Sequence, residues 1–151
     1  MRQPIGILIH QIKQIHARIF ERVLRRHTNL DISGPQCNVL YQLWREEGIT
    51  ISKLSQRTQL TNATLTSMLD RLEAQHLLRR HINPENRREV LVFLTEQAKS
   101  LQILYQECYR EMSDINFKGF TPEERCQFEE YLQRFYHNLT AYEAQQKDEI
   151  F

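Results

Sequence analysis

I-T-I-S-K-L-S-Q-R-T-Q-L-T-N-A-T-L-T-S-M-L-D-R-L-E-A-Q, from Ile49 to Gln75, is the stretch that decides the fold. After the very short Ile49-Thr50-Ile51, apolar spacing over Ser52–Thr58 predicts a helix of about two turns. Gln59-Leu60-Thr61 leaves room only for a tight turn. Helical spacing resumes from Thr61 to Gln75, with Leu65, Met68, Leu69 and Leu72 on one face. The opposite face carries Ala63, Thr66, Ser67, Asp70 and Arg71, small or hydrogen-bonding side chains near the helix start.

Downstream, R-R-H-I-N-P-E-N-R-R-E-V (Arg79 to Val90) sets two arginine pairs on either side of a turn. Proline fixes φ and asparagine tolerates left-handed backbone, so Asn83-Pro84-Glu85-Asn86 has turn chemistry. Val90 to Leu94, V-L-V-F-L, is β-branched and apolar and predicts a strand, which Leu77-Leu78 and the residues after them pair as a hairpin. Short helix, tight turn, helix with a polar outer face, then a basic hairpin: this order is the plan of a winged helix-turn-helix. A helix fits the major groove, where short polar side chains at its N-terminal end meet base edges. A hairpin with arginines reaches the adjacent minor groove, whose narrow stretches concentrate negative potential. Arg79 and Arg80 alternate along a strand, so at most one of them faces the duplex.

The flanks are helical. Ile5, Leu8/Ile9, Ile12, Ile15, Ile19 and Val23 recur every three to four residues, which predicts a long amphipathic helix that stops near Asn29. Ser33-Gly34-Pro35 reads as a capped start for a second helix, with Val39, Leu40, Leu43 and Trp44 inside and Gly48 as its end. Thr95 begins a helix through Leu101, Leu104, Cys108, Met112 and Ile115, which Gly119 breaks. Thr121-Pro122-Glu123-Glu124 opens a last helix, with Phe128, Leu132, Phe135, Leu139 and Tyr142 along it, and the final few residues are expected to fray. The expected fold is mainly α with a small β-hairpin wing. It forms one domain over 1–151, with a DNA-binding lobe at 33–95 between helices at 4–29 and 96–146.

The net charge of +1 hides an uneven distribution. From Lys53 to Arg88, seven Lys/Arg face three acids (7 − 3 = +4), whereas Phe120 to Phe151 has three bases and seven acids (3 − 7 = −4). Such a chain grips a polyanion locally. No apolar run approaches the ~18 residues needed to cross a bilayer. The N-terminus turns too polar after Ile9 for a signal peptide. Cys37, Cys108 and Cys126 lack framework spacing and read as free thiols in a reducing, cytoplasmic setting. The six histidines show no metal-ligand spacing, and phosphate-loop or nucleophile motifs are missing, so neither metal, cofactor nor catalysis is expected.

The line I-T-I-S-K-L-S-Q-R-T-Q-L-T-N-A-T-L-T-S-M-L-D-R-L-E, then L-L-R-R, then N-P-E-N-R-R-E-V-L-V-F-L-T-E, resembles the multiple-antibiotic-resistance regulator (MarR) family of dimeric bacterial repressors. L-D-R-L-E followed by a P-E-x-x-R wing and V-x-x-L-T-E is a fairly specific combination. The resemblance implies a homodimer on a pseudo-palindromic double-stranded DNA operator, acting as a ligand- or stress-responsive repressor. It implies DNA contacts from Asn62, Ala63, Thr66, Ser67 and Arg71 on the recognition helix, and from Arg88 with its neighbour Arg87 in the wing. The first and last two helices would build the dimer interface. A small aromatic or phenolic effector is implied between the dimerisation helices and the lobe, where His16, Cys37, Tyr41 and Trp44 are the candidate lining residues. The plainer alternative for those four is core packing, with Cys37 inert. Three positions depart from the family pattern: Asn86 replaces a wing aspartate, and His76 and Ala98 replace glycines. The competing reading of the whole chain is a non-enzymatic winged-helix interaction module, or a constitutive DNA-binding protein without an effector.

Overall fold

Hydroxyl side chains set most of the helix starts, because each accepts an amide N–H that a first turn leaves without a partner. α1 (Ile5–His27) begins after Pro4 without such a cap. Ser33 accepts from Gln36 N–H while the Gln36 side chain accepts from Ser33 N–H, opening α2 (Gly34–Arg45) with a reciprocal cap. Strand β1 (Ile49–Thr50) leads straight into α3 (Ile51–Thr58), capped by Thr50, and Thr61 caps α4 (Asn62–Ala74). Strands β2 (Leu78–Asn83) and β3 (Asn86–Leu94) follow. Thr95 caps α5 (Glu96–Asn116), and Thr121 with Glu124 forms a second reciprocal cap on α6 (Pro122–Glu149). This computed structural model describes residues 1–149, with side chains to Lys147; the expected fraying of the final residues lies outside the described part.

The sheet has three strands, not the two of a lone hairpin, in antiparallel order β1-β3-β2. Ile49 pairs with Val92 and Thr50 with Leu91. A two-residue strand is too short to show a period of two, so only its distant partner reveals it. α2 ends at Arg45 and not at Gly48. Gly48 serves the turn into β1: its φ is +73°, and its N–H donates to the Val92 carbonyl. A Cβ there would lie 2.9 Å from the Phe93 ring.

The packing divides the described chain into two compact units, Met1–Met112 and the part from Ser113 on, where the sequence is read as one domain. The boundary falls within α5 and carries no proline, glycine or linker composition to announce it. In the first unit a core of Val39, Leu40 and Leu43 (α2), Leu54 (α3), Leu65, Leu69 and Leu72 (α4) and Val92 (β3) is sealed by Phe20, Val23 and Leu24 of α1 and Ala98, Cys108 and Met112 of α5. The N-terminal half of α1 leaves its apolar stripe open: Ile5, Leu8, Ile9, Ile12 and Ile15 are all exposed. In the second unit Phe117, Phe120 and Phe128 meet edge to face at 5.5–6.1 Å, with the Arg125 guanidinium 4.5 Å above Phe117. Among the described residues of α6 none is buried, and Phe128, Tyr131, Leu132, Phe135, Leu139 and Tyr142 are exposed along it.

α4 ends in a paired-bond cap: Leu77 N–H donates to Leu72 O and His76 N–H to Glu73 O, with His76 at φ +59°. Leu72 and Leu77 are both fully buried in the same core, as the apolar residues that flank such caps commonly are. His76 thus occupies a left-handed position that favours glycine. His76→Gly is expected to raise stability by up to about 1 kcal/mol, and Gly48→Ala to lower it by about 1–3 kcal/mol. Urea unfolding midpoints of the two variants check both; an unchanged Gly48→Ala midpoint would contradict the Phe93 contact.

Candidate nucleic-acid interface

The turn between α3 and α4 is held from inside. Thr58, nearly buried, donates its hydroxyl to Leu54 O at 2.8 Å, and Ser55 donates to Leu60 O at 2.6 Å. Gln59 takes the left-handed conformation (φ +58°), which lets three residues reverse the chain before Thr61 caps α4. Leu65, Leu69 and Leu72 turn inward with no exposed surface. Asn62, Ala63, Thr66, Ser67 and Arg71 are all exposed. Among the described residues none engages their side chains in a hydrogen bond or ion pair.

The wing tip is irregular. Ile82 pairs with Val90 but Asn83 pairs with Asn86, so positions 87 to 89 of β3 have no counterpart on β2. The extra length bulges out and holds Arg87 and Arg88 exposed. Three side-chain bonds shape it: Asn83 Nδ2 donates to Glu89 Oε2 (3.0 Å), Glu85 N–H to Asn83 Oδ1 (3.1 Å), and Arg88 N–H to Asn86 Oδ1 (3.2 Å). Asn86 therefore keeps the backbone-bracing bond that an aspartate oxygen would make, although it is neutral.

Carboxylates decide which cations remain available. Glu46, at the end of α2, accepts Lys53 Nζ at 3.0 Å and Arg57 Nη2 at 2.5 Å. The hydrogen bonds from Lys53 and then Arg57 hold the Glu46 carboxyl below the usual carboxylate range. Arg80 is gripped from α4, by Glu73 (2.5 Å) and Asp70 (2.7 Å), which raise its pKa, Glu73 most. Of the seven Lys/Arg between Lys53 and Arg88, three are thus engaged, leaving 7 − 3 = 4: Arg71, Arg79, Arg87 and Arg88. A polar helix end beside two unpaired wing arginines is a surface that fits a duplex.

The MarR family model matches residues 32–90. Over 136 residues the chain is 30% identical to the multiple antibiotic resistance protein MarR of Escherichia coli, spanning 87% of this chain and 90% of that protein. The chain belongs to the MarR family. It is also 40% identical over 73 residues to the organic hydroperoxide resistance transcriptional regulator of Bacillus subtilis, a match covering 48% of this chain and half of that relative's length. A mutant Escherichia coli MarR crystallised with operator DNA superposes with a TM-score of 0.76 at 29% identity, covering 87% of this chain and 93% of that one.

At the other MarR-pattern positions the structure is specific. His76, where the family pattern has glycine, adopts a left-handed backbone, and Ala98 is fully buried, its carbonyl accepting Trp44 Nε1–H at 2.9 Å. Of the four residues read as effector-lining, Tyr41 and Trp44 converge on Tyr105 of α5, at ring separations of 6.1 and 5.0 Å. Cys37 is buried close enough to Cys108 and Tyr105 to interact with them, and burial pushes its thiol up to about 12. A thiol so placed is a poor nucleophile. His16 lies on the exposed part of α1. Tyr105 was not singled out by sequence, because helical spacing alone gives no sign that it joins aromatics from α1 and α2. The Glu46 and Arg80 clusters were equally hidden, because their partners lie on different elements.

Arg80 ties β2 to α4, whereas Arg79 is exposed. At low salt Arg80→Gln is expected to cost about 1 kcal/mol and Arg79→Gln less than about 0.5 kcal/mol. Equal shifts of the two urea midpoints would mean that the clamp holds nothing.

Proposed function

We propose that this chain is a sequence-specific transcriptional regulator that binds a double-stranded operator as a homodimer, and represses until a ligand or stress signal releases it. One observation carries the reading: the exposed face of α4, Asn62, Ala63, Thr66 and Ser67, is backed by buried leucines and flanked by a wing whose Arg87 and Arg88 make no ion pair among the described residues. α4 enters the major groove with its N-terminal residues on base edges, Arg71 borders the contact, and Arg88, with Arg87, probes the minor groove. The relative solved with operator DNA supports this use of the surface. The open apolar rows of α1 and α6 support self-association, since surfaces of that kind are commonly covered by a partner. Two-fold symmetry sets recognition helices roughly 34–36 Å apart on successive major grooves.

The reading is of a binding protein rather than an enzyme, working in the cytoplasm where its operator lies. A small aromatic or phenolic effector fits the neighbourhood of Tyr41, Trp44 and Cys37, where Tyr105 supplies a further ring. Release requires such a ligand to favour the DNA-free state by its own differential affinity.

Binding to the DNA upstream of its own gene should exceed binding to random duplex and weaken steeply with salt. Arg88→Ala is expected to weaken all sites alike and reduce the salt slope by about 1. Asn62→Ala and Ser67→Ala should instead change sequence preference, by about 1–3 kcal/mol at the affected base pair. Fluorescence anisotropy over a salt series distinguishes these outcomes. Equal affinity for upstream and random DNA would remove the regulator reading, and an unaffected Arg88→Ala variant would remove the wing assignment.

A further inference from the structure

Between α1, the loop that precedes α2 and the C-terminal end of α4 lies an open cleft of about 550 Å³, within the size range of small-molecule sites. It is separate from the Tyr105 cluster. Four of its lining side chains are charged: Glu21 and Arg25 from α1, Asp31 from the loop, and Arg71 from α4. None of the four forms an ion pair among the described residues. By contrast Glu46, Glu73, Glu111 and Arg80 of the same unit are all engaged.

Gln75, also on the cleft wall, donates Nε2–H to the Asp31 carbonyl at 3.2 Å and so ties the loop to the end of α4. Two acids and two bases cancel. A simple anion drawn by Arg25 and Arg71 would be repelled by Glu21 and Asp31, and a simple cation would meet the opposite conflict. Only a ligand carrying both charges satisfies both pairs.

We propose that this cleft binds a small zwitterion, a carboxylate bearing a protonated amine, of the size of a free α-amino acid. The arginines take the carboxylate and the two acids take the ammonium group. Leu30 and Ile32 offer apolar surface to the rest of the molecule. Arg71 belongs at once to this cleft and to the proposed DNA face, so occupancy draws it from the duplex and lowers operator affinity. That last consequence rests on the regulator reading; ligand binding itself does not.

The test uses the full chain without DNA. Thermal melting is followed with each proteinogenic α-amino acid at about 10 mM, a concentration at which even weak ligands shift the midpoint, with acetate, butyrate and butylamine as single-charge controls. At least one amino acid is expected to raise the midpoint while the three controls do not. Calorimetry on that amino acid should show Arg25→Gln and Glu21→Gln each weakening it about tenfold or more, with ligand-free operator binding unchanged. No shift with any amino acid, an equal shift with a control, or unaltered affinity in both variants overturns the proposal. An amino acid that binds as expected but leaves operator affinity intact overturns the link through Arg71. Failure of the ligand-free protein to bind its operator strikes the regulator reading alone, because the melting result is read without DNA.

Discussion

The surface offered to a duplex depends on one burial, that of Leu65, Leu69 and Leu72 along the inner face of α4. Each leucine taken from water is worth roughly 1.5–3 kcal/mol, and all three sit in a core shared with Leu54 of α3, Leu43 of α2 and Val92 of β3. That burial fixes the rotation of α4 about its axis. Successive residues are about 100° apart, so a one-residue slip would carry Asp70 or Thr66 into the core and a leucine into solvent. The polar outer face therefore needs no contacts of its own to be held in place. Short side chains can stand exposed at positions 62, 63, 66 and 67 because the opposite face does the holding.

Electrostatics then narrows the site. A count of charges from Lys53 to Arg88 gives +4 and treats every cation alike. The fold does not: Glu46 holds both bases of α3, and Glu73 with Asp70 holds Arg80. A phosphate competing for Lys53 or Arg57 has to displace a carboxylate already in place, whereas one meeting Arg87 or Arg88 displaces only water. Positive charge is thereby concentrated at the wing tip and at Arg71. The first helix of the pair is left to brace the second more than to grip the backbone.

Helical periodicity made most of this legible, because a stripe such as Leu65, Leu69, Leu72 is a local signal. So were the caps at Ser33 and Thr121, each a hydroxyl three residues before the N–H it accepts. What stayed hidden depends on pairing across the chain. β1 is two residues long and exists only through Val92 and Leu91. Glu46 and Arg57 are eleven positions apart, and Glu73 and Arg80 seven, spacings that no single helix brings together. Asn86, where the family pattern has aspartate, cannot form an ion pair. Its carbonyl oxygen nonetheless accepts the Arg88 N–H, a role that depends on hydrogen-bonding geometry and not on charge.

Arg71 separates two ways in which a small molecule can act on such a protein. A ligand against the Tyr41, Trp44 and Tyr105 rings touches α2 and α5 but no residue proposed to face DNA, so its effect must travel through a change in how those helices pack. A ligand in the α1–α4 cleft shares a side chain with the DNA face and competes for it directly. Competition of that kind needs no second global state. Linkage makes it reciprocal: operator DNA must weaken the ligand by the same factor that the ligand weakens the operator. The factor is bounded by what Arg71 contributes to each complex, because one guanidinium is all that the two sites have in common.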